Sequence, residues 1–215
     1  MHIPQHRNRR CGLTRIEVLV IVGVCLILAS FAFGPLTKAK VSRSRIKCAT
    51  VLRNVGVGVL LFATDNSDHY PWAISTNGRG SQEYAGLGSQ TFRHFVAMSN
   101  ELSAPALLIC RQDNRMGARN WADLRNTNIS YFLGLDADNK SPASVVAGDR
   151  NITALSSVIL DAAKSEPLNW VPSLGLHGNQ GNIAFADGHV EQVDSVGLRK
   201  AVARNGTATN RFAIP

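Results

Sequence analysis

Glu17 stands at the head of an apolar run: from Val18 to Phe33 this 215-residue chain carries no charged side chain. A carboxyl group carried to the centre of a bilayer costs roughly 2.5–3.5 kcal/mol. An acid in such a setting therefore marks a functional position by default. Two further sets of residues are candidates for chemistry. His177, Asp187 and His189 could together hold a metal ion, although a hairpin turn with two surface histidines is the simpler outcome. Asp136, Asp138 and Asp149 could form a calcium loop, with solvated turn acids as the default. As an EF-hand that stretch fails, because its sixth position is Ser141 in place of Gly and its twelfth is Ala147 in place of the bidentate Glu. Enzyme signatures are missing: no Gly-x-Ser-x-Gly, phosphate-cradling Gly loop, His-Glu-x-x-His or Cys-x-x-Cys occurs.

The elements that must position these residues follow from hydropathy and turn chemistry. Sixteen helical residues from Val18 cover ~24 Å, short of a ~30 Å hydrocarbon core. Starting at Leu13 closes the gap, so residues 13–33 read as a membrane span. Gly34-Pro35 predicts a kink near Phe31, because proline removes a donor and crowds the carbonyl four residues earlier. Beyond it, Val41, Cys48, Leu52, Val55, Val59 and Phe62 form a one-sided stripe over an amphipathic helix at 35–64. Gly56 and Gly58 cost that helix ~1 kcal/mol each, so packing must hold it. Thr64-Asp65-Asn66-Ser67-Asp68 is a stop signal.

A head of residues 65–215 follows, long enough to bury its own core. Residues 73–90 read as a polar loop and Thr91–Ser99 as a short helix. Strands are expected at Leu107–Cys110, Ile129–Leu133, Ser144–Ala147, Val158–Leu160, Ile183–Ala186 and His189–Val193. Asp187-Gly188 predicts a two-residue hairpin that sets Phe185 against Val190 on the buried side. The fold class is α+β.

Charge narrows the function. Residues 1–47 hold nine of the 23 Lys/Arg and one of the 15 Asp/Glu, which accounts for the whole net charge of +8. Residues 48–215 are balanced and lack the basic footprint of a nucleic-acid binder. Three bases precede the span at 13–33 and five follow it, so a simple positive-inside count opposes an N-in topology.

Gly12-Leu13-Thr14-Arg15-Ile16-Glu17 resembles the cleavage and methylation signal of type IV prepilins and type II secretion pseudopilins. The resemblance implies a basic leader over residues 1–12, cleavage after Gly12 and methylation of a new amino terminus at Leu13. It places Glu17 at the fifth mature position, where the family has its acid. Leu13 stands where Phe is usual, and Arg15 where the family has an apolar residue. The new amine would lie within i,i+4 reach of Glu17, or pair with Glu17 of a neighbour and fix the step between subunits. His177 followed after nine residues by Asp187-Gly188 resembles a C-terminal signature of prepilin-like proteins in planctomycete-type bacteria. Cys48 and Cys110 are also similar to that group, and with the leader gone they are a candidate disulfide in an oxidising compartment.

The resemblance implies a long kinked helix packed on a small antiparallel sheet. It further implies a non-enzymatic subunit of the cytoplasmic (inner) membrane, N-terminus inside, with no cofactor; calcium enters because some secretion pseudopilins bind it in a distal loop. Expected partners are prepilin peptidase, like subunits, the inner-membrane assembly machinery and lipid, without nucleic acid. The rival readings are a membrane-tethered ligand- or glycan-binding module and a secreted protein cut near Ser30-Phe31-Ala32.

Overall fold

The computed structural model describes residues 14–153, 158–161, 168–174, 176–205 and 209–215, with backbone alone at 29–45, 158–161 and 209. The chain divides into two compact units, residues 1–43 and 44–215. Helix α1 runs over Arg15–Asp65. It passes through Gly34-Pro35 without a break in the helix. Proline withholds a single backbone donor, and the flanking turns continue.

In the first unit, the described apolar side chains of α1 face outward. Ile16, Val18–Val22, Val24 and Leu26–Leu28 are 47–74% exposed. In the second unit the same helix is a core element: Cys48, Leu52, Val55, Val59, Phe62 and Ala63 are buried. Among the described residues, the helical stretch long and apolar enough to cross a membrane is Ile46–Asp65, yet 44% of it is buried in the fold. Burial of the stripe marks this stretch as a core helix. The expected span at 13–33 includes Leu13 and side chains at 29–33 that lie outside the described residues, as does Val41 of the stripe.

The second unit is α+β, with a six-stranded antiparallel sheet in the order β3-β6-β1-β2-β4-β5. The strands are β1 Tyr131–Gly134, β2 Val145–Asp149, β3 Val158–Asp161, β4 Gln180–Phe185, β5 Val190–Asp194 and β6 Thr209–Ala213. Alternation sends Tyr131 and Leu133 into the core that holds the distal half of α1, while Phe132 enters a second core. A register shift in β2 between Val145 and Ala147 puts Val146 and Ala147 on the α1 side together. The second core is closed by helix α3, Ser195–Ala203, through Leu198, Ala201 and Val202.

The two α1 glycines are contact points. Gly56 lies under Ala184, and a Cβ at Gly58 would meet Leu102 Cδ2 at 2.5 Å. The loss in helix propensity is thereby exchanged for close packing.

Several expectations change. Leu107–Cys110 is not a strand: Pro105 opens a 3₁₀ turn over Pro105–Leu108. The short helix α2 is Phe92–Ala97. Inside the closing pair Phe185–His189, the turn between β4 and β5 has three residues, 186–188, instead of two. Gly188 N donates to Phe185 O and Phe185 N to His189 O, and only Gly188 takes a positive φ, 83°. That pattern matches a turn closed by a left-handed glycine. It shifts the register by one, so Val190 pairs with Ala184 on the α1 side. Phe185 enters the other core and stacks on His189.

Candidate functional site

Gly12 and Leu13 lie outside the described residues. At the start of α1, Thr14 N and Thr14 Oγ1 donate to Glu17 Oε2 at 2.8 and 2.9 Å, and Glu17 N approaches Thr14 Oγ1 at 3.4 Å. Thr14-x-x-Glu17 is thus a capping box. The acid satisfies the first turn of its own helix, as the three-residue spacing from Thr14 allows.

In the head, Cys48 of α1 and Cys110, which precedes β1, form a disulfide across 62 residues with Cα atoms 5.4 Å apart. His177 packs against it, with Nε2 3.4 Å from Cys110 Sγ and 3.6 Å from Asp149 Oδ2. All four side chains are buried. Asp149 Oδ2 also accepts from Asn182 N at 2.7 Å and Asn182 Nδ2 at 2.9 Å. Burial pushes the Asp149 carboxyl up to about 7, against the pull of the Asn182 donors.

The candidate metal sets do not assemble, and His177 is buried where a surface histidine is expected. Asp149 is sequestered with His177. Asp136 is engaged by Arg211, whose N, Nε and Nη2 donate at 2.7, 2.8 and 2.6 Å. Asp138 accepts from Lys140 N in a turn. The signature His177-x₉-Asp187-Gly188 is likewise split: Asp187 pairs with His189 at the hairpin while His177 is buried at the disulfide. Among the described residues, the ligating side chains that do converge are Cys48, Cys110 and His177, whose donor atoms lie within 4.8 Å of one another.

Beside this cluster is a buried ion pair that sequence reasoning missed. Arg150 Nε and Nη2 donate to Asp113 Oδ2 and Oδ1 at 2.9 and 2.7 Å. Asp113 also accepts from Ser130 Oγ at 2.7 Å, and the same Ser130 Oγ accepts from Cys110 N at 3.0 Å. Burial raises the Asp113 carboxyl, but the bonds and charge of Arg150 and the Ser130 bond outweigh it and leave the group below its usual range. The partners lie 37 and 17 residues away, beyond any local pattern.

A second buried contact joins Ser81 Oγ to His94 Nδ1 at 2.7 Å. Both residues are fully buried, and burial pushes the imidazole down to about 4. Without access to solvent, this pair is a core contact and not a nucleophile with its base.

A cleft of about 530 Å³ opens at the C-terminal end of α1, lined in part by Asp68, Tyr70, Trp72, Asp138, Asn139 and Lys140. Ser67 and Asp68 both take positive φ there. The Asp68 N to Ala63 O bond of 2.8 Å closes the helix as a Schellman turn. Asn139 Nδ2 donates to Asp68 Oδ1 at 3.0 Å. Comparison of the chain with protein-family models, curated proteins and solved structures returns no match.

Proposed function

We propose that this chain is a pseudopilin-like subunit of a type II secretion or type IV pilus-like filament. It is a client of prepilin peptidase, cut after Gly12 and methylated at Leu13, and not itself an enzyme. The observation that carries the reading is the contrast along α1: large apolar residues from Ile16 to Leu28 are exposed, while the stripe from Cys48 to Phe62 is buried. Exposed aliphatic surface on that scale requires lipid or like helices. The proximal part of α1 spans the cytoplasmic membrane, N-terminus inside, and the head lies on the periplasmic or extracellular side. Assembly runs through the inner-membrane machinery and through packing between α1 helices, with Glu17 setting register.

The capping box lowers the cost of the acid in the monomer and leaves its second oxygen for a neighbour's amine. A Glu17→Ala variant should still lose its leader but drop out of filaments, read as at least a tenfold fall in sedimentable subunit. Unaltered assembly of that variant would overturn the register role.

The cleft beside Asp68 favours a second reading, a membrane-tethered module whose head binds a ligand or glycan. On that reading Glu17→Ala changes nothing, while substitutions of Asp68 or Asn139 impair the head.

A further inference from the structure

We propose that the dithiol form of this chain binds a divalent zinc-class cation between Cys48, Cys110 and His177. Their donor atoms lie within 4.8 Å of one another, and His177 Nε2 stands 3.4 Å from Cys110 Sγ. Bond lengths of about 2.3 Å to sulfur and about 2.0 Å to nitrogen set the S···N edge of a tetrahedral site near 3.5 Å. His177 therefore already occupies a ligand position relative to Cys110. With the Cα atoms 5.4 Å apart, side-chain rotation suffices to part the sulfurs to a tetrahedral S···S edge of ~3.7 Å. Asp149 Oδ2, 3.6 Å from the same imidazole nitrogen and held by Asn182, places a carboxyl group beside the cation without being one of the three converging donors.

Two thiolates and an imidazole select zinc over calcium or magnesium, which demand oxygen. All three ligand residues are buried, so water competes poorly for the metal. Disulfide and cation are alternative occupants of one position. Opening the S–S bond takes two electrons from a reductant and two protons. With a phosphine, the reductant leaves as its oxide, carrying an oxygen from water. Metal binding then releases both thiol protons. None of this depends on the membrane reading.

The test uses the full chain in detergent, in a Cys11→Ser, Cys25→Ser background, reduced with tris(carboxyethyl)phosphine and given zinc chloride before desalting and metal analysis. The reduced chain should retain one zinc and the oxidised chain none. Cys48→Ser and His177→Ala should each weaken binding at least tenfold. A reduced chain that keeps its near-ultraviolet dichroism and binds no zinc would overturn the proposal, as would a His177→Ala variant that binds as well as the parent. Should reduction unfold the head, zinc added during refolding in reductant should restore the native spectrum with one equivalent bound. Failure to do so overturns the proposal equally.

Discussion

Replacing Arg150 with Met is expected to destabilise the head by about 3–5 kcal/mol, the cost of leaving a buried charge without its partner. The Asp113 side chain is shielded from solvent and that of Arg150 nearly so, and the guanidinium grips both carboxylate oxygens. Arg150 Nη2 also donates to Leu174 O at 3.1 Å, so the same residue ties the segment ahead of His177 to β2. The double variant Asp113→Leu, Arg150→Met should recover much of the loss, because removing both charges removes the desolvation cost together with the attraction. Urea unfolding of the full chain in detergent, followed by near-ultraviolet dichroism, measures the cycle. Equal stability of the single variant and the parent would show that the pair is not buried as described.

Lowering the pH from about 6.5 to about 4 should cost the folded state about 3 kcal/mol through His94 alone. Its imidazole is pushed down to about 4 by burial, whereas the unfolded residue titrates at its ordinary value. Within that window the unfolded chain binds a proton that the folded chain refuses, so stability is lost as pH falls. A His94→Gln variant removes this contribution. The difference between parent and variant in unfolding free energy should therefore change by about that amount across the window. A difference independent of pH would place His94 in contact with water.

Legibility in the sequence depended on how local each feature is. The α1 stripe, the stop at Thr64–Asp68 and the strands near Ser144–Ala147, Ile183–Ala186 and His189–Val193 rest on short-range periodicity, and each is found close to its expected place. Strand β6 was not foreseen. Asn210-Arg211-Phe212 offers little alternation, and the strand exists by pairing with β1 and β3. Helix α3 was also overlooked, although Asp194 accepts from Gly197 N as its cap and Leu198, Ala201 and Val202 follow helical spacing. Asp187-Gly188 announced a turn but not its length, and one extra residue exchanged Phe185 for Ala184 opposite Val190.

The signature His177 showed nothing of its surroundings. Its neighbours Cys110 and Asp149 come from distant strand ends and loops, and only the closed sheet brings them together. Glu17 carries two signals at once, its charge and its three-residue spacing from Thr14, and the second makes it part of a helix cap.

The proposal of a membrane-inserted, processed subunit is tested most directly by the intact mass and N-terminal sequence of the protein extracted from membranes of a host with prepilin peptidase. The account predicts residues 13–215 with one added methyl group, beginning at N-methylated Leu13. A chain that still begins at Met1, or that begins beyond Phe33, would contradict it.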